Sequence, residues 1–332
     1  MRQLKFSALG LYLLLQFCLA PLAQAWDATS HRLSAYVAWE TLNTASRDHL
    51  IAILENHPRF TEDFLDQIPA NIMLASDADR TRWLLGQAAI WPDLVRRLNG
   101  DERSRYNRPA WHWIDGAWVR EESIQGNVYV GVEPLADFVG EMLTHPSEEH
   151  QVDNIVLALD YNLSLLRDTR ANVAARAIAL CWVLHLVGDV HQPLHAGALV
   201  SSELFSSGDR GGNGIPVRGG SLHSTWDEAL RNQPFEDTLR RMVVSARQMN
   251  LADISIDTLI WMDESRQLMQ DFVYPDEIKA AVLKAERLKT AIQPFAPDDD
   301  YSGKMSAIAE DRVTLSGVRL ALVLQQLHLP QL

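Results

Sequence analysis

Residues 184–195, LHLVGDVHQPLH, constrain this chain more than any other stretch. An apolar segment of helical period carries His185, His191 and His195 together with Asp189, and Pro193 interrupts it. His185 and Asp189 stand four residues apart, so on a helix they share one face. The segment SLHSTWDEAL repeats that spacing with His223 and Asp227. A single pair of this kind is more often an ordinary helix contact. Two pairs in an apolar helical chain, with a third histidine beside the first, require another explanation. Burying so many imidazoles and carboxylates without a cation costs several kcal/mol for each group. One nitrogen and one carboxylate oxygen from each of two helices form a donor set suited to zinc. A proline pushes the preceding residue out of the helical region. His195 is thereby free to point away from the His185/Asp189 face and serve a neighbouring ion.

The dominant period elsewhere is also helical. Apolar residues recur at three- and four-residue spacing over 30–42, 154–166, 175–190, 228–244 and 313–327. Ser30 is the expected N-cap of the first of these, with Asp27 near its positive end. Strand signals are few: 127–134 (NVYVGVEP) reads as a short extended piece, and 206–220 as a glycine-rich loop between two helices that carry His and Asp. The predicted fold class is all-α, a single helical domain over 26–332. The upstream stretches 91–97 (WPDLVRR) and 111–115 (WHWID) offer Asp93 and His112, the first reading as a turn and the second as a histidine in aromatic company. His49, His57, His145, His150, His191 and His328 are read as surface residues or as neighbours of ligands.

Residues 1–25 have a basic start (Arg2, Lys5), an apolar centre and an Ala-Gln-Ala end. This is the pattern of a cleaved secretory signal peptide, its apolar part too short to span a membrane. Cleavage after Ala25 leaves Trp26 first, and implies a periplasmic or secreted protein with no membrane anchor and no implied protein partner. Cys18 leaves with the peptide, so Cys181 has no intramolecular partner and reads as a buried core residue. Without Arg2 and Lys5 the chain holds 28 basic against 43 acidic residues, a net charge of −15. Such a balance lacks the basic footprint of a nucleic-acid binder and argues against a polyanionic substrate unless bound cations reverse the local field.

Six motifs in order resolve this tension: WDATSH (26–31), WPDLVR (91–96), WHWID (111–115), HLVGDVHQPLH (185–195), GGN (211–213) and HSTWD (223–227). Together they resemble the S1/P1 nuclease family, zinc enzymes that cut single-stranded DNA and RNA and remove 3′-phosphates from nucleotides. The resemblance implies a helical fold of the phospholipase C/P1 nuclease type with a trinuclear zinc cleft. It assigns Asp93, His112, His185 and Asp189 to one zinc. His195, His223 and Asp227 fall to a second. His31, a shared Asp189 and the amino nitrogen and carbonyl oxygen of Trp26 fall to a third. Three Zn2+ would bring six positive charges against three ligand carboxylates. The resemblance further implies that Asp115 orients the attacking water, that Arg96 clamps the phosphate, and that Trp113 stacks on a base. Asn213 either contacts the base or supports a ligand.

Zinc-dependent bacterial phospholipases C share the N-terminal Trp and the histidine-rich segment, but have a glutamate where this chain has Asp227. They are the alternative, with Trp111 and Trp113 facing acyl chains. If the Trp26 amine is a ligand, a precursor that retains residues 1–25 should bind one zinc fewer than the mature protein. Metal analysis of the two forms, each with its N-terminus verified, checks this.

Overall fold

The computed structural model describes residues 26–114, 129–130, 149 and 152–328. Asp115, His145 and His150, and most of the 127–134 stretch, lie outside them; the backbone of Tyr129–Val130 is a two-residue strand, β1. Eleven helices longer than one turn and a half carry the described architecture. They are α1 (Ala28–Thr41), α2 (Thr44–Leu54), α3 (Asp77–Leu94), α4 (Gly100–Tyr106), α5 (Ile155–Arg167), α6 (Val173–Val190), α7 (Leu222–Asp227), α8 (Phe235–Gln248), α9 (Thr258–Leu268), α10 (Asp276–Leu288) and α11 (Asp299–Gln325). Strand β1 pairs antiparallel with β2 (Leu199–Val200). Within the glycine-rich loop, β3 (Pro216–Val217) pairs with β4 (Gly220–Ser221).

Helix α6 is apolar on every side because it is surrounded. It packs on α3, α5 and α2, with α11 behind it, and every residue from Ala179 to Val190 is buried. A helix hydrophobic all round belongs at the centre of the core. Helix α1 lies between α3 and α11. Three apolar clusters fill the interior, the largest built on α2, α3, α5 and α6. The second lies under the glycine-rich loop, and the third joins α1, α8 and α11. Cys181 is buried and unpaired, as expected.

Four local expectations differ from what is seen. The cap of α1 is Asp27, whose carboxylate accepts from Ser30 N at 3.0 Å; Ser30 is inside the helix and donates its own hydroxyl to the same oxygen. The apolar run at 228–244 is not one helix, since α7 ends at Asp227 and α8 begins only after Pro234, a residue that keeps Gln233 out of the helical region. Trp91, Pro92 and Asp93 form the end of α3 rather than a turn. Pro92 has no N–H to donate toward Ala88 O, and the helix ends two residues later, at Leu94. His57 and His191, read as surface residues or neighbours of ligands, are both core residues at 4% and 0% exposure.

The His57 ring lies edge-on to Trp91 at 4.5 Å and to Phe64 at 5.1 Å, and its Nδ1 accepts from Arg59 N. Burial pushes its pKa down to about 4, against a partial upward pull from Asp63. The unfolded chain therefore takes a proton at this residue near pH 6.5 while the folded chain does not. Stability conferred by neutral His57 is complete above pH 6.5 and drains away as pH falls toward 4. Relative to wild type, His57→Phe is expected to lose up to about 1.4 kcal/mol per pH unit of that slope. Urea unfolding from pH 7 to 4.5 measures it.

Candidate metal centre

Helix α6 supplies the axis of the site. His185 Nε2 is 3.1 Å from Asp189 Oδ2, one turn along the same face, and both residues are fully buried. The other contributors converge on this pair from separate elements. From α1, His31 brings Nε2 to 3.2 Å from Asp189 Oδ1 and stacks its ring on His185 at 4.0 Å. From the turn Pro109–His112, His112 brings Nδ1 to 3.0 Å from both Asp189 Oδ2 and His185 Nε2. From the end of α3, Asp93 Oδ1 lies 3.9 Å from His185 Nε2.

A second arm faces these residues. Helix α6 stops at Val190, three residues before Pro193, and Pro193–His195 forms a 3-10 turn. His195 leaves the helix face as the sequence predicts, and its ring stacks on His223 at 5.0 Å. His223 and Asp227 span α7, with Nε2 and Oδ2 3.4 Å apart. Three groups thus hold donor atoms within 4.8 Å of one another: His31/His185/Asp189, Asp93/His112/His185 and His195/His223/Asp227. Trp26 is buried next to the second arm, where the following residue, Asp27, donates its N–H to Asp227 O at 3.1 Å.

The orientation of the imidazoles is set from outside. His185 Nδ1 lies 2.8 Å from Ala89 O, His195 Nδ1 2.5 Å from His112 O, and His223 Nδ1 2.6 Å from Gly211 O. A carbonyl can only accept, so each Nδ1 carries the proton and each Nε2 presents a lone pair. Glycines allow two close approaches at the site, that of His31 to helix α6 and that of the Gly211 carbonyl to His223. A Cβ on Gly188 would sit 2.7 Å from His31 Nδ1, and Gly211 adopts φ +58° where a Cβ would meet Leu194 O at 2.2 Å.

The electrostatics ask for a cation. His112 Nε2, His195 Nε2 and Asp227 Oδ2 are buried and make no hydrogen bond, a costly condition for polar atoms in a core. Burial pushes His112 to about 4 and His195 to about 3, so both are neutral at neutral pH. Burial also drives the Asp227 carboxyl well above the carboxylate range. At Asp189 burial acts in the same direction, but His185 and His195, with hydrogen bonds from His112 and His185, outweigh it and hold the group well below. At His185 burial pulls the pKa down, but Asp189 and Asp93 outweigh it and raise it, so a metal there must displace a proton; His112 and His195, neutral and facing carboxylates, are what divalent metal binding requires. The residues fit zinc.

The remaining predicted site residues divide. Trp113 is exposed at 40%, whereas Trp111 is buried against Trp182 with its Nε1–H donated to Val152 O. Arg96 reaches Asp93, Nη2 to Oδ1 3.1 Å. Asn213 donates its amide to Arg210 O within the glycine-rich loop. Asp115 lies outside the described residues.

Gln192 has a place that sequence reasoning missed. Fully buried, it donates its backbone N–H to Asp189 O at 2.9 Å and accepts from Leu194 N through Oε1. Its Nε2 donates to Asp227 Oδ1 at 2.8 Å, so that Oδ2 is left for the group with His195 and His223. Its only sequence signal was its position between His191 and Pro193.

Comparison with known proteins places this geometry. The profile of the S1/P1 Nuclease family matches residues 26–328. Endonuclease 4 of Arabidopsis thaliana is 34% identical over 161 residues, 45% of this chain and 50% of that protein. Endonuclease 2 and Endonuclease 3 of the same plant are likewise matched over 51% and 49% of their lengths, so the chain spans about half of each of these relatives. Endonuclease 5 is 30% identical over 256 residues, 73% of this chain and 77% of that protein. With the family profile matched through nearly all of its length and Endonuclease 5 being 30% identical over 73% of it, the chain belongs to the S1/P1 nuclease family.

Proposed function

We propose that the protein is an exported zinc-dependent phosphodiesterase that cleaves single-stranded DNA and RNA to 5′-phosphate products and removes 3′-phosphates from nucleotides. The observation that carries this reading is the convergence of three histidine–carboxylate groups, buried but for Asp93, close in the chain to an exposed tryptophan and an arginine. On this reading Asp93, His112, His185 and Asp189 hold one Zn2+. His195, His223 and Asp227 hold a second; Trp26, His31 and Asp189 hold a third. Bound zinc would supply a water ionised near neutral pH and positive charge to offset the negative charge that develops on the phosphoryl and leaving oxygens.

The protein residues do the positioning. Arg96 turns its planar fork from Asp93 to a non-bridging phosphate oxygen, a geometry guanidinium matches in two hydrogen bonds. Trp113 stacks on the base next to the scissile bond, a contact worth about 1–3 kcal/mol that only an unstacked base can make. Single-strand preference follows from that requirement. Asp115 accepts a hydrogen bond from the attacking water and aligns it opposite the 3′-oxygen. The P–O3′ bond breaks, leaving a 3′-hydroxyl and a 5′-phosphate. The exported location rests on the 1–25 pattern; among the described residues no helix is long and apolar enough to cross a membrane.

The test uses the protein with Trp26 as N-terminus, end-labelled single-stranded DNA and, in parallel, phosphatidylcholine. Chelation should abolish DNA cleavage and zinc should restore it, with lipid turnover absent or slow. Lipid hydrolysis without DNA cleavage would overturn the assignment in favour of a phospholipase C. The same chelation should lower the thermal midpoint, because a metal that binds only the folded chain stabilises it.

Gln192→Leu should weaken zinc at the His195/His223/Asp227 group by about 10–100-fold, the usual cost of losing a partner that orients a ligand. Competition against a zinc-sensitive dye reads this directly. The other two groups should keep their affinity and the circular dichroism spectrum its shape.

A further inference from the structure

The glycine-rich loop holds His223 at two points. Its Nδ1–H donates to Gly211 O at 2.6 Å, and its backbone N–H lies 3.4 Å from Gly212 O. Both carbonyls belong to a left-handed turn. Arg210, Gly211 and Gly212 have φ of +59°, +58° and +81°. The turn is closed by Asn213 N–H on Arg210 O and by Gly214 N–H on Asp209 O. Three successive residues in the left-handed region, the first of them an arginine, do not persist by local preference. They persist where their surroundings over-determine them.

The residue just before the turn supplies that constraint. Asp209 is 1% exposed. Its Oδ1 accepts from Leu199 N at 2.9 Å, and its own backbone N–H donates to Leu199 O at the same distance. Tyr274, which follows α9 and the wide turn Met269–Val273, donates its hydroxyl to the carboxylate, 2.9 Å from Oδ2 and 3.1 Å from Oδ1. Burial and the adjacent carboxylate push the Tyr274 phenol well above its usual value, so it stays a donor. The turn therefore starts from a point tied to β2 and to the end of α9. Space around it is closed as well. A Cβ on Gly214 would stand 2.5 Å from the Phe205 ring, and one on Gly212 3.1 Å from Leu194 Cδ1.

We infer that Asp209 is a positioning residue for the metal. Acting through the turn 210–212, it aims Gly211 O at His223 Nδ1 and so keeps the Nε2 lone pair directed into the group with His195 and Asp227. A carboxylate suits this task because Leu199 N–H and the Tyr274 hydroxyl both donate, and an acceptor-only group satisfies them with no donor left over. Gln192 orients Asp227 at the far end of α7; Asp209 does the same for His223 at its start. The inference rests on the zinc reading above.

The test uses Asp209→Ala, Asp209→Asn and Tyr274→Phe beside the wild type, each with Trp26 as N-terminus. Zinc is titrated into the metal-free proteins against a zinc-sensitive dye. Asp209→Ala should weaken a single zinc by about 10–100-fold, the same one that Gln192→Leu weakens, and leave the remaining zinc within about twofold of wild type. Asp209→Asn keeps an acceptor for Leu199 N but turns a donor toward Tyr274, so its loss should be intermediate, as should that of Tyr274→Phe. Histidine-labelled, zinc-loaded protein gives a second reading by nuclear magnetic resonance. The His223 Nδ1–H signal should move upfield in the Asp209 variants as its bond to Gly211 O weakens, while those of His185 and His195 stay in place. A merely structural role would lower the thermal midpoint, weaken every zinc together and move all three signals; that result overturns the assignment. Unchanged zinc affinity with an unmoved His223 signal overturns it too. If Asp209→Ala does not fold, the two conservative variants are judged by the same outcomes. A wild type that binds no zinc refutes the zinc reading itself, whatever the variants do.

Discussion

Seven buried imidazole and carboxylate side chains and the partly exposed Asp93 converge between α1, α3, α6 and α7, and the rest of the structure answers to that fact. Without a cation the arrangement is expensive: neutral histidines face one another with unused lone pairs, and Asp227 is driven toward its protonated form. With one, the same burial becomes an advantage, because a low-dielectric site strengthens every interaction between metal and ligand. The fold does not tolerate this cluster passively. It holds three of the five histidines, His185, His195 and His223, by a backbone carbonyl so that the correct nitrogen faces inward.

The C-terminal half explains how a turn as short as 190–196 stays in register. Three neighbouring carbonyls of that turn are held by side chains from α9 and α11. Ser265 Oγ donates to Val190 O, Arg312 Nε to His191 O and Arg266 Nε to Ala196 O. Arg319 donates to His191 Nε2 at 2.9 Å and, with Arg312, pairs with Glu264. His191 is therefore a structural hub rather than a ligand, and burial beside two arginines keeps it neutral. Charges placed this way are costly to separate once buried. They make the direction of His195 a property of the whole molecule, not of Pro193 alone.

Charge acts on two scales. Globally the chain is acidic, which keeps it soluble and repels polyanions. Locally, cations held by the three His/Asp groups would reverse that sign. The contrast would confine attraction for phosphate to the neighbourhood of the site, a better arrangement for a hydrolase than a uniformly basic surface that would retain substrate and product anywhere.

The helical class, the two four-residue His/Asp pairs and the departure of His195 from the helix were legible in the sequence because they depend on local periodicity, on side chains one turn apart and on proline's fixed ring. So was the burial of Cys181, which follows from an unbroken apolar run. The cap of α1, the split at Pro234 and the helical state of Trp91–Asp93 were legible only in part, since neighbouring residues competed for the same local roles. The roles of Gln192, Gly188 and Gly211 were not, for each depends on a partner distant in the chain: Asp227, His31, or Leu194 with His223. Nor could periodicity separate the buried Trp111 from the exposed Trp113, two residues apart in an aromatic stretch without regular structure. Composition and spacing determined which donors the chain possesses. Only the packing of α1, α3 and α7 around α6 decided which of them meet, because contact between residues tens of positions apart is set by how apolar helix faces close over one another.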